Sequence, residues 1–145
     1  MSENPSVADE LAIRSLVARY VDAVHRRHRD DWAATWADDG LWSLPGTAIA
    51  GREKIAQFWS EAMQSFSFVA MLMHSGTLEI AGERARGRWY LTEYTIDRQG
   101  AQQMIIGIYS DQYRKIDGEW RFGQRQYDIF YRGPADLSGT VGSTE

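Results

Sequence analysis

From Phe68 onward the side chains alternate with a period of two, and the alternation is sustained through four successive runs, about 69–80, 84–97, 102–116 and 119–132. Successive side chains of a strand point to opposite faces, so each run reads as a long strand with one face to cover. The runs are separated by short turns. Asp117-Gly118 is a strong hairpin signal, because a type I′ turn needs positive φ at both central positions. The segments 79–84 and 97–102, around Gly82 and Gly100, read as two further hairpin turns. Four long strands in sequence therefore form an antiparallel meander.

The first half of the chain supplies what covers it. Ser6 is placed to cap a helix, with Asp9 three residues on. Ile13, Leu16, Val17, Tyr20, Val21 and Val24 then recur at helical spacing, and Arg26-Arg27-His28-Arg29 closes the helix with the positive charge its macrodipole favours. Asp30 or Asp31 is expected to cap a second helix through Trp32 and Trp36, ended near Gly40. Leu41 to Leu44 reads as a short edge strand before Pro45-Gly46, and Gly51 precedes a third helix with Ile55, Phe58 and Trp59 on its apolar stripe. Helices first and strands later give the α+β class, with a curved sheet wrapped on the helices and a concave space between them.

Strand parity assigns faces. On the second long strand Arg84, Arg86, Arg88, Tyr90, Thr92 and Tyr94 share the face expected to meet solvent or another subunit. Ala85, Gly87, Trp89, Leu91 and Glu93 share the inner one. On the last strand Trp120 and Phe122 have one parity, and Tyr127, Ile129 and Tyr131 the other, so a bulge near Gly123 is expected to switch them. The chain is read as one domain spanning 1–145, with a core of about 7–132 and a flexible Gly-, Ser- and Thr-rich tail from 133 to 145.

Composition narrows the function. The chain is 43% hydrophobic and carries a net charge of −4, with its 16 Lys and Arg dispersed. That argues against nucleic acid, whose affinity rests on clustered cations. Without cysteine there is no disulfide, thiolate or cysteine-ligated zinc. No apolar stretch approaches a membrane span, and Met1 to Pro5 lacks the pattern of a signal peptide, so a cytoplasmic location is expected. Of the three histidines, at 25, 28 and 74, the first two are surrounded by Arg26, Arg27 and Arg29, which would repel a cation, so no metal site is expected.

His74 stands inside the apolar pattern Ala70 to Ile80, where parity groups it with Leu72, Leu78 and Ile80 on the face expected to line the interior. An imidazole there can exchange a proton near neutral pH. His25 lies beside the apolar stripe of the first helix, within reach of partnering His74 or donating to a substrate. Glu93, inward by parity, must be paired or protonated if buried. Tyr20 and Tyr109 could polarise a substrate carbonyl, with Gly107 leaving room for a ligand beside Tyr109. Trp42, Trp59 and Trp89 are candidate pocket walls. Each also has a plain packing role open to it.

Four segments carry a family resemblance: Ile13 through Val24, Trp32 to Asp39, Gly51-Arg52-Glu53-Lys54-Ile55, and Tyr113 through Phe122 with its Asp117-Gly118 turn. In this order they resemble the SnoaL-like family of the nuclear-transport-factor-two-like superfamily, over about 7–132. The resemblance implies a conical α+β barrel, a strongly curved and mostly antiparallel sheet around N-terminal helices, with an interior pocket and homodimers or homotrimers. The scytalone dehydratase and hexachlorocyclohexane dehydrochlorinase groups of this family are cofactor-free lyases. They carry a strand histidine where this chain has His74, and an aspartate where it has His25. The resemblance thus implies a cofactor-free lyase or isomerase for a small hydrophobic, cyclic molecule, with His74 as base, His25 and Tyr20 beside it, and Tyr109, Trp89, Trp42, Trp59 and Glu93 around the substrate. A non-catalytic small-molecule carrier, or an assembly module joined through the Arg-Tyr face, are the alternatives.

Overall fold

The computed structural model describes residues 6–142. Residues 1–5, where the leader pattern was sought, and 143–145 of the tail lie outside the described residues. Helix α1 (Val7–Arg26) is capped by Ser6, whose side chain accepts from the backbone N–H groups of Ala8 and Asp9. It ends at Arg27, which takes a left-handed conformation with φ 53. From there the Arg27 guanidinium donates to the carbonyls of Met63 and Phe66, tying the end of α1 to the end of α3 (Arg52–Gln64).

Helix α2 is shorter than its sequence pattern. It spans Arg29–Ala34 and is capped by His28, whose Nδ1 accepts from the Asp31 N–H, so neither Asp30 nor Asp31 is the cap. Trp36 is consequently not helical. It opens β1 (Trp36–Leu44), which is more than twice the expected length and is not an edge. The reason is tertiary: β1 lies parallel to β6 (Glu119–Pro134) and pairs on its other side with β2 (Thr47–Ala50), a strand too short for any periodic signal. The three remaining strands are β3 (Phe66–Ala81), β4 (Arg84–Asp97) and β5 (Gln102–Ile116). The sheet order is β2-β1-β6-β5-β4-β3. It is strongly curved but not closed, with β2 and β3 as its two edges, so the barrel is an open cone.

The hairpins form as expected. Asp117 and Gly118 both have positive φ, 52 and 82. A bulge sits at Gly123, where Phe122 pairs with Tyr113 and Gln124 with Gln112, and it reverses the parity of β6. Beyond Gly133 the chain is partly held: β6 runs to Pro134, and the Leu137 N–H donates to Gln102 Oε1 at 2.7 Å.

The concave face holds the core. Ala85, Trp89, Leu91, Ile105, Tyr109, Tyr113, Trp120 and Phe122 are buried against Ile13, Leu16, Tyr20 and Val24 of α1 and against Trp32 of α2. The centre is aromatic: Trp32 stacks on Trp59 with centroids 4.5 Å apart, and Trp36, Trp42, Tyr20 and Phe122 pack around them. The interior expected to hold a pocket is filled here by the chain's own rings. Gly107 makes no room for a ligand either. A Cβ on it would lie 2.7 Å from both Tyr127 Cε1 and the Asp128 carbonyl oxygen, so its hydrogen admits the Tyr127 ring. On the convex face Arg84, Arg86, Arg88 and Tyr90 are exposed, as parity predicts, and Tyr90 lies beside exposed Phe130.

Candidate functional site

Two separate groups of polar side chains emerge from the sequence-predicted set. The first is a groove of about 850 Å³ between α1 and the edge strand β3. Val17, Val21, Met71 and Met73 form its apolar wall, Trp89 its floor, and His25 and His74 both line it. Arg14 closes one end, with its guanidinium 5.5 Å from the Trp89 ring centroid and 3.4 Å from the Gly76 carbonyl oxygen.

The groove does not hold His74 in the way strand parity predicts. β3 bulges between Met73, paired with Leu91, and Gly76, paired with Trp89. Met71 and Met73 therefore face the helix, whereas Leu72 is 49% exposed and His74 is exposed. Gly76 is what the bulge serves: a Cβ there would lie 2.4 Å from the Trp89 ring, so only glycine lets β3 pass over the indole. The imidazole of His74 meets Thr92, with Nε2 3.0 Å from Oγ1. His74 thus stands at the lip of the groove, on the outward side of a bulge that alternation alone does not reveal.

His25 is not hydrogen-bonded to His74. Its Nδ1 donates to the Val21 carbonyl at 3.1 Å, and its Nε2 accepts from the Met71 N–H at 3.0 Å. Both bonds are satisfied together by the neutral imidazole protonated on Nδ1. The ring bridges α1 to a backbone N–H on β3, and an aspartate could accept from that N–H but could not donate to Val21. The histidine at this position therefore has a local structural reason.

The second group lies inside the cone. Tyr20 and Tyr109 are both about 1% exposed, with hydroxyl oxygens 3.3 Å apart. Tyr109 stacks on Tyr127 at 4.7 Å, and the Tyr127 hydroxyl donates to Glu93 Oε1 at 3.2 Å. Burial pushes the Glu93 carboxyl up to about 7, opposed by the Tyr127 hydrogen bond and the charge of Arg132. Burial also raises the Tyr20, Tyr109 and Tyr127 phenols. Trp42 and Trp59 belong to the packed aromatic centre and line neither group.

Sequence reasoning missed the strongest electrostatic feature. Arg125 and Asp111 are both fully buried and bidentate, Nε to Oδ1 at 2.7 Å and Nη2 to Oδ2 at 3.0 Å. Tyr113 donates to Asp111 Oδ2 at 2.6 Å and receives the Trp89 indole N–H at 2.7 Å. The guanidinium lies 3.8 Å from the Tyr109 centroid, 4.1 Å from Phe122 and 4.5 Å from Tyr20. Burial pushes the Asp111 carboxyl up while Arg125 and Tyr113 pull it down; burial likewise works against the charge on Arg125, and Asp111, Tyr20 and Tyr109 together more than offset it. The signal was present in the expected Gly123 bulge, which sequence reasoning did not extend to Arg125: moving the β6 parity by one residue turns Arg125 inward, opposite Asp111 in the β5–β6 register.

Among known proteins, the pattern of the SnoaL-like domain family matches residues 5–126. Gamma-hexachlorocyclohexane dehydrochlorinase of Sphingobium indicum is 25% identical over 140 residues, spanning 92% of this chain and 88% of that protein. The crystal structure of LinA superposes with a TM-score of 0.86 at 21% identity, covering 94% of this chain and 96% of LinA. A candidate scytalone dehydratase from Novosphingobium aromaticivorans superposes at 0.82 with 17% identity, covering 96% and 97%. The cone is thus a fold shared with dehydrochlorinase and dehydratase-like proteins.

Proposed function

We propose that this chain, which belongs to the SnoaL-like domain family, is a cofactor-free lyase that eliminates a small group from a hydrophobic ring compound in the α1–β3 groove. The observation that carries the reading is the groove itself, which assembles two histidines from distant parts of the chain beside an apolar wall and a cation. The relatives named for dehydrochlorination and dehydration support the reaction class.

In this reading the substrate's ring lies against Val17, Val21, Met71 and Met73. His74 takes a proton from carbon. The electrons of that C–H bond form a C=C bond, and the leaving group departs from the adjacent carbon with its bonding pair. Arg14, at the end of the groove, receives the developing negative charge. Thr92 orients the imidazole through its hydroxyl, as partners of a general base do. His25 holds the groove's two walls at their spacing and is a positioning residue.

A panel of halogenated and hydroxylated cyclohexane derivatives, assayed for released halide and for new unsaturation, tests this. General base catalysis is worth about 10²–10⁴-fold. His74→Gln should lower kcat by roughly that factor with an unchanged melting temperature, and full turnover in His74→Gln would reject the assignment.

A further inference from the structure

β3 is an edge strand of 16 residues, so one side of its backbone has no strand partner. An open row of N–H and C=O groups invites pairing with other chains unless something covers it. Here side chains of α1 and of its C-cap reach three backbone groups of β3. Arg14 donates to the Gly76 carbonyl at 3.4 Å, and Arg27 donates to the Phe66 carbonyl at 2.9 Å. Between them, His25 Nε2 accepts from the Met71 N–H at 3.0 Å.

The three ties differ in chemistry. A guanidinium is a donor that keeps its charge, so the two arginine ties do not titrate. The His25 tie needs a lone pair on Nε2, and the ring has one there only while it is neutral, because Nδ1 is committed as donor to the Val21 carbonyl at 3.1 Å. A second proton puts a ring N–H against the Met71 N–H, donor against donor. His25 is exposed, so its ring can take that proton from solvent and turn outward. Val21 and Met71, whose backbones the ring joins, stand on opposite walls of the α1–β3 groove.

We propose that His25 is a pH-sensitive latch on this groove: neutral, it ties the α1 wall to the β3 wall, and protonated, it releases Met71 and parts the two walls at this point. The closed latch holds one proton on its ring and the open latch two, so falling pH favours the open form. The charged groups around it have partners of their own. Asp22 on α1 accepts from Arg26 at 2.9 Å, and Asp31 on α2 accepts from the same guanidinium and faces His28 at 3.3 Å. On β3 His74 meets Thr92, and on β4 Glu93, opposite Met71 in the sheet, accepts from Tyr127. On β6, which also packs on α1, Arg125 is held by Asp111. The latch stands on its hydrogen bonds; only its effect on turnover rests on the groove being the site proposed above.

Hydrogen exchange at the Met71 amide, followed by NMR and corrected for intrinsic exchange, reads the latch without any substrate. From about pH 7.5 to about pH 5.5, the range in which histidines charge, its protection in wild type should fall about tenfold. His25→Gln keeps an acceptor of similar reach and cannot titrate, so its protection should be equal at both. His28→Gln and His74→Gln should keep the wild-type fall. The nitrogen shifts of the His25 ring give a second reading that needs no variant: protonated on Nδ1 alone at the upper pH, and on both nitrogens at the lower. The latch is overturned if wild-type protection changes by less than about twofold, if His25→Gln keeps the fall, if His28→Gln or His74→Gln abolishes it, or if the ring stays neutral throughout. Turnover enters none of these results, so failure of the latch and failure of the groove reading are separately visible.

Discussion

Replacing Arg125 with methionine is the perturbation whose outcome the structure constrains most. The substitution removes two charge-assisted hydrogen bonds, at 2.7 and 3.0 Å, and the cation held among the Tyr20, Tyr109 and Phe122 rings. It leaves the Asp111 carboxylate with only the Tyr113 hydroxyl, at 0% side-chain exposure. Breaking a buried pair by removing one partner costs about 3–5 kcal/mol, because the remaining charge has neither partner nor water. In a chain of this size each kcal/mol moves the melting temperature by about 2–4 °C, so a fall of on the order of 10 °C is expected. Urea unfolding followed by tryptophan fluorescence measures the cost. The informative comparison is the double variant Arg125→Met with Asp111→Leu. Removing both charges abolishes the uncompensated carboxylate, and the double variant should recover most of the loss. A single variant that costs less than about 1 kcal/mol would refute the reasoning, as would a double variant as unstable as the sum of its parts. The first result would mean that water reaches Asp111 once the guanidinium is gone, and the second that the cost lies in lost packing and not in a stranded charge.

Stability should also carry the signature of Glu93. Its folded value of about 7 lies above the ordinary 4.5, so between those two values the folded chain holds a proton that the unfolded chain releases. The contribution is full below that window and is lost as pH rises through it, amounting to at most about 2–3 kcal/mol for a partly solvated group. The difference in urea midpoint between wild type and Glu93→Gln should slope across this window, and a flat difference would contradict the assignment. Gly107→Ala forces a methyl within 2.7 Å of a backbone oxygen and a ring carbon, so it should cost about 1–3 kcal/mol; a neutral result in the same assay would show that Tyr127 is free to move.

By itself the sequence determined much of what depends on short-range periodicity, the second helix excepted. The Ser6 cap, the stripe of α1, the positive-φ turn at Asp117-Gly118 and the inward face of β4 all follow from spacings within a few residues, and so did the Gly123 bulge. Of the groove's residues, His25, His74 and Trp89 were singled out by residue type and position, whereas Arg14, Met71 and Met73 were not. The orientation of the two histidines was not legible. The bulge between Met73 and Gly76 exists because β3 must clear the Trp89 ring on the neighbouring strand, a contact with no trace in the alternation of β3 itself. Nor could the long β1 be foreseen, because its partner in parallel pairing is a strand at the far end of the chain. The buried Arg125–Asp111 pair shows how the two levels join. The sequence contained the bulge that turns Arg125 inward, but only the register of β5 against β6 placed a carboxylate opposite it. Only the packing of α1 into the curved sheet brought the Tyr20, Tyr109 and Phe122 rings around the charge.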